Sequence, residues 1–165
     1  MLSIRKEKAT VKNGIIGVIS DTHGLVRPQA LAALAGVDLI IHAGDIGKAD
    51  VLQSLRAIAP VLAIRGNNDR EAWARHIPDI LNLAINGFYL QVIHNVHDID
   101  GDATSLDVDA VISGHSHKPG IVTRDRVLFV NPGSAGPRRF KLPVAVAKIH
   151  LEKRHLNATL IELQI

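Results

Sequence analysis

Five apolar, strand-like runs in this chain end in the same way, and that repetition constrains the fold more than any other feature. Gly14–Gly24 reads Gly-Ile-Ile-Gly-Val-Ile-Ser-Asp-Thr-His-Gly, so an apolar run hands over to Asp21 and His23. Val37–His42 leads to Gly44-Asp45, and Pro60–Ile64 to Gly66-Asn67-Asn68-Asp69. Phe88–His94 ends on His94 itself, and Val108–Ser113 runs into Gly114-His115-Ser116-His117. Near-continuous apolar runs of this length suit strands buried on both faces of a parallel sheet. Sites in open α/β sheets form beyond the carboxyl ends of the strands. Asp21, His23, Asp45, Asn67, His94, His115 and His117 are therefore expected to converge on one crevice. The glycines before Asp45, Asn67 and His115 let the chain turn sharply there.

Between the runs, short helices are expected at Arg27–Ala35, with Pro28 at the start and Gly36 as the stop, and at Ala49–Ile58, with Asp50 as N-cap. Strands alternating with helices imply right-handed crossovers and a largely parallel beginning. The pattern then changes. Asn86-Gly87 between Ile80–Ile85 and Phe88–His94 is a two-residue hairpin signal. Ile121–Thr123 and Arg126–Val130 read as a second hairpin around Arg124-Asp125, and Val144–His150 with Leu156–Leu163 as a final antiparallel pair. Two sheets packed face to face, with helices outside, accommodate all of this. Residues 1–13, with Arg5, Lys6, Lys8 and Lys12, read as an N-terminal extension to a single domain over 14–165.

The chain has 165 residues and is 47% hydrophobic, enough for one domain with a real core. Aromatics are only 3% of it, which makes the core aliphatic and argues against base-stacking platforms for single strands. A formal charge of +3 suits a small anionic substrate but is too small for stable nucleic-acid binding. There is no cysteine, so any metal is held by oxygen and imidazole nitrogen. No run approaches the roughly 18 apolar residues of a membrane span, and residues 1–13 lack a signal core. The expectation is a soluble cytoplasmic protein without a membrane partner; self-association is left open.

Seven such ligands are too many for one ion at a site with open positions. They suit two divalent ions sharing Asp45, an arrangement fit for phosphoryl displacement. Mixed imidazole and oxygen donors favour manganese, then nickel, iron or zinc, over magnesium alone.

Taken in order, Asp-x-His at 21–23, Gly-Asp at 44–45, Gly-Asn-Asn-Asp at 66–69, His94 and Gly-His-Ser-His at 114–117 resemble the calcineurin-like metallophosphoesterase superfamily. Asn131-Pro132-Gly133-Ser134 is similar to its small bacterial and archaeal phosphodiesterase branch. The resemblance implies an α/β fold, a four-layer α-β-β-α sandwich of two mixed sheets. It implies that Asp21, His23, Asp45 and His117 hold one metal, and that Asp45, Asn67, His94 and His115 hold the other. It implies a phosphodiesterase acting through a metal-bridging hydroxide, with Asn67, Asn68, Asp69 and His94 as the catalytic set and Asp69 orienting a ligand from behind. The same ligands would serve a phosphatase on monoesters or nucleotides. The fold also occurs as a non-catalytic scaffold in the retromer coat, a route expected to shed ligands that this chain retains. Two departures stand out. Many members carry His where this chain has Asn68, and an amide delivers no proton to a leaving alkoxide. Asn95 stands where glycine usually follows the ligand histidine.

Other polar residues read more plainly. His42 is expected to be a structural, hydrogen-bonded histidine, and His76, His97, His150 and His155 match no motif. Asp98, Asp100 and Asp102 around Gly101 read as a solvated loop without the spacing of a calcium site. Arg138, Arg139 and Lys141 read as a solvated basic loop, and Asn131–Ser134 as a turn.

Overall fold

The structure is a computed structural model that describes residues 2–99 and 107–165. Its strands are β1 (Ile4–Ala9), β2 (Ile15–Ile19), β3 (Leu39–His42), β4 (Val61–Ala63), β5 (Ile80–Ile85), β6 (Phe88–Ile93), β7 (Ala110–Ile112), β8 (Gly120–Arg124), β9 (Val127–Asn131), β10 (Ala145–Glu152) and β11 (His155–Glu162). They form two mixed sheets, ordered β1-β5-β6-β7-β9-β8 and β11-β10-β2-β3-β4. β2, β3 and β4 run parallel, as the alternation with helices requires, and β10 joins them antiparallel.

Alternation along each strand sorts the side chains into layers. Ile16, Val18, Ile41, Leu83, Leu90, Ile112 and Ile149 fill the space between the sheets. Leu83 is almost fully enclosed there, so truncating it to alanine would cost about 2–5 kcal/mol. Helices α1 (Pro28–Ala33) and α2 (Ala49–Arg56) lie on the outer face of the five-stranded sheet, where Val51, Leu52 and Leu55 meet Ile19, Ile40 and Val146. Both helices are too short to persist alone, so this packing is what maintains them. The outer face of the six-stranded sheet carries Ile93, Val111 and Val127, capped by Val96 and Ile99. Among the described residues its cover is a 3-10 turn, Val96–Asp98, rather than an α-helix. Asp98 belongs to that turn; Gly101, Asp100 and Asp102 lie outside the described residues.

Several local expectations shift. Within the stretch read as an extension, Ile4–Ala9 forms β1, paired parallel to β5 along its whole length. It is an edge strand, and its lysines suit an edge that must not pair further. The N-cap of α2 is Lys48, in extended conformation, while Asp50 sits in the first turn beside the positive helix end. The first hairpin turns at Asn86-Gly87, both with positive φ, as expected. The second turns one residue later than expected, at Asp125-Arg126, both left-handed.

Candidate metal centre

β2, β3, β4, β6 and β7 all release their chains at one end of the sandwich, and the two sheets contribute to one cluster. Asp21, Asp45, His94 and His117 are buried, His23 is half-buried, and Asn67 and His115 are exposed. Asp21, His23, Asp45, His115 and His117 all adopt left-handed φ, between 46° and 70°. Such backbone is costly for residues other than glycine and collects where function demands it. The loops hold it with hydrogen bonds: the Asp21 amide donates to the Gly44 carbonyl and the His23 amide to the Asp45 carbonyl, each at 3.0 Å. Two glycines allow the approach. A Cβ on Gly66 would overlap the Asp45 carboxylate, and one on Gly114 would overlap Ser20 Oγ.

Two compact groups of donors result, Asp21–His23–His117 and Asp21–Asp45–His94. The carboxylate common to both is Asp21, whereas the sequence leads us to expect Asp45 to be shared. Asp45 nonetheless faces both sides, with Oδ2 3.3 Å from His94 Nε2 and 3.8 Å from His23 Nε2. His115 stands edge-on to His94, ring centroids 5.2 Å apart, and its backbone amide donates to Asp21 Oδ2 at 3.1 Å. Asn67 lies on the exposed lip, beside a cavity of about 410 Å³ that His94 and Asn95 also line.

The donors call for cations. Asp21 Oδ1, His23 Nε2, His94 Nε2 and His117 Nδ1 are buried without a hydrogen-bond partner. At His94 the logic is explicit. Nδ1 lies 2.7 Å from the Ala43 carbonyl, which only accepts, so Nδ1 carries the proton. A neutral ring then directs the Nε2 lone pair at the Asp45 carboxylate, acceptor against acceptor. Only an added proton or a cation relieves this. Burial pushes the His94 pKa down, but the Asp45 and Asp21 carboxylates beside it prevail and raise it. Burial raises Asp45, but the His94 ring, when protonated, and the Asn68 amide outweigh that and bring it to about 2. At His117 burial lowers the pKa, Asp21 opposes, and the Arg139 charge lowers it further.

Some residues have roles that differ from those expected. Asp69 is not placed to react: its buried carboxylate accepts from the amides of Ile46, Gly47 and Gly66, all at 3.0 Å. It ties the Asp45 loop to the Asn67 loop. Asn68 turns toward Asp45, its backbone amide donating to Oδ1 at 3.1 Å and its side-chain amide to Oδ2 at 3.4 Å. Asn95 caps the 3-10 turn by accepting from the His97 amide at 3.0 Å, a use glycine lacks. His42 is structural, as expected. Its Nδ1 accepts from the Gly44 amide at 3.1 Å, so Nε2 donates to Thr22 Oγ1 at 2.9 Å, and Thr22 passes the bond to the Ile46 carbonyl. Burial, reinforced by His94, lowers the His42 pKa from 6.5 to about 3.

The turn at Asn131–Ser134 does more than its composition suggests. Asn131 Nδ2 donates to the Gly114 carbonyl and to Ser116 Oγ, which fixes the His115–His117 loop. Ser134 Oγ donates to the Asp21 carbonyl at 2.9 Å. Ser20 Oγ donates to Asp21 Oδ2 at 2.6 Å and sets its rotamer. The motif at 131–134 was visible in the sequence, but its partners were not.

Comparison with known proteins shows the family and the fold. Residues 15–154 match the calcineurin-like phosphoesterase superfamily domain. A probable metallophosphoesterase of Methanothermobacter thermautotrophicus is 35% identical over 159 residues, spanning 89% of this chain and 91% of that protein. A probable metallophosphoesterase of Methanocaldococcus jannaschii is 37% identical over 163 residues, spanning 91% and 82%. Among solved structures, an archaeal phosphodiesterase superposes with a TM-score of 0.74 at 25% identity, covering 89% of this chain and 99% of that one. Vps29 of Entamoeba histolytica complexed with zinc shares the fold with a TM-score of 0.71 at 21% identity, covering 90% and 98%.

Proposed function

The chain belongs to the calcineurin-like phosphoesterase superfamily, and on that premise we propose that it is a dimetal phosphodiesterase. The observation that carries this is the set of buried, partnerless donors gathered from both sheets at one end of the sandwich. Asp21, His23, Asp45 and His117 would hold one divalent ion, and Asp45, Asn67, His94 and His115 the other. Manganese suits these oxygen and imidazole donors. The ion pair, when bound, supplies Lewis acidity toward the phosphoryl oxygens and activates water at neutral pH.

The chain's own groups do the rest. The proton on His94 Nδ1, committed to the Ala43 carbonyl, fixes the tautomer so that Nε2 is free to ligate. Asp69 and Ser20 hold Asp45 and Asp21 in place. Asn68, on Asp45, donates hydrogen bonds but cannot protonate a leaving oxygen. Leaving groups of low basicity are therefore favoured, and diesters with such groups are preferred to ordinary alkyl monoesters. The test is metal-free protein loaded with manganese, nickel, zinc or magnesium and assayed on bis(4-nitrophenyl) phosphate and 4-nitrophenyl phosphate. Faster turnover of the diester with manganese is expected; equal or faster turnover of the monoester would make the protein a phosphatase.

A further inference from the structure

We propose that the loop from Gly136 to Leu142 is the recognition arm of this site, selecting diesters whose non-leaving arm carries a nucleobase. The inference rests on the phosphodiesterase reading and adds the substrate's chemical class. The loop starts on the metal centre itself. The Gly136 amide donates to Ser134 Oγ, which donates to the Asp21 carbonyl, and Arg27 donates through Nε and Nη2 to the Gly136 carbonyl. A Cβ at Gly136 would collide with the Asp21 and Thr22 carbonyls, so the loop lies directly against the Asp21 turn.

What the loop presents is unusual for this chain. Phe140 is 89% exposed, one of only five aromatic residues in the sequence. Its φ is +53°, a conformation in which a bulky residue is an outlier. Folding therefore retains a strained aromatic in water, where it contributes nothing to the core. Arg138, Arg139 and Lys141 flank it in the sequence, and among the described residues none of them forms an ion pair. The sequence from 126 to 151 contains no aspartate or glutamate. An exposed aromatic flanked by uncompensated cations, on a loop that starts against the Asp21 turn, matches a ligand that is both a flat π-system and an anion. One such residue makes a platform for one base, consistent with a small nucleotide diester and not with a nucleic-acid strand. A membrane surface is the other partner that aromatic and basic residues attract, but the loop's anchorage to Asp21 favours the substrate.

Two substrates with the same leaving group isolate the arm: thymidine 5′-(4-nitrophenyl) phosphate and methyl 4-nitrophenyl phosphate. The wild type should prefer the first in kcat/KM. Phe140→Ala should lower that preference by about ten-fold, the size of one stacking contact. Phe140→Trp should restore it. Phe140→Trp also adds an indole to a chain with one tryptophan, so its fluorescence reports binding without turnover. Quenching by thymidine 5′-monophosphate but not by inorganic phosphate is expected in metal-free protein. An unchanged substrate preference in Phe140→Ala overturns the proposal, as does absence of quenching. So does Phe140-dependent partition onto phosphatidylserine vesicles with no nucleotide effect. If the protein cleaves neither diester with any metal, the phosphodiesterase reading fails by itself, and the quenching experiment still decides whether the loop recognises a nucleotide.

Discussion

The buried and the exposed parts of the candidate centre are built differently. Asp21, Asp45, His94 and His117 are enclosed, each on a loop whose backbone is hydrogen-bonded across the strand ends. Asn67 and His115 lie at the surface. The enclosed donors are fixed by the fold before any ion arrives, and the cost is visible as left-handed backbone and partnerless polar atoms. His115 shares the left-handed backbone, but neither exposed side chain is left with a buried partnerless atom, because water satisfies both until a ligand comes. The inner part therefore carries unpaired polar atoms that a cation would satisfy, and in the proposed site the outer part would complete the coordination. Metal binding should accordingly stabilise this protein strongly, since an ion that binds only the folded state adds its binding free energy to folding.

The sharpest way to break the comparison is Asp45→Ala, which removes the carboxylate facing both groups. Turnover should fall by more than about a thousand-fold, and metal content measured on the purified variant should fall with it. Near-normal hydrolysis would mean that Asp45 is not part of the machinery. Asp69→Ala comes next. Three buried amides lose their acceptor, so denaturant unfolding of the metal-free variant should show a loss of about 3–5 kcal/mol. A loss below 1 kcal/mol, of the order found for ordinary surface substitutions, would show that the two loops do not depend on it.

Asn68→His tests the exposed lip. A proton donor there should raise turnover of esters with poor leaving groups by about 10- to 100-fold relative to activated ones. An unchanged ratio removes Asn68 from the chemistry. The smallest effect is on pH dependence. His42 is neutral in the fold down to about 3, against 6.5 when unfolded. Between those values the unfolded chain binds the extra proton, so stability is full above pH 6.5 and falls as the pH falls. The slope from this group reaches about 1.4 kcal/mol per pH unit. NMR of the His42 ring in metal-free protein should show it neutral at pH 5; a ring titrating near 6.5 would contradict the buried Thr22–His42–Gly44 relay.

The convergence of Asp21, His23, Asp45, His94 and His117 was legible because polar residues at strand ends leave a pattern that apolar runs and glycines expose. The hairpin at Asn86-Gly87 was legible for a similar reason, since few dipeptides suit that turn. β1 was not, because an edge strand of Ile-Arg-Lys-Glu-Lys-Ala carries too much charge to show a buried face. The turn at Asp125-Arg126 was displaced by one residue because neither residue advertises left-handed backbone as glycine does. Asp69, Asn131 and Ser134 act on backbone amides and carbonyls far away in sequence, and such partners have no residue signature. The same limit explains why the Gly136–Leu142 loop reads as solvated until its anchorage to the Asp21 turn is seen.

The central claim is that the enclosed and exposed donors together hold two ions. Calorimetric titration of metal-free protein with manganese tests it most directly. The account predicts two ions per chain, with a rise in thermal stability on loading. A folded protein that takes up one ion or none would contradict it.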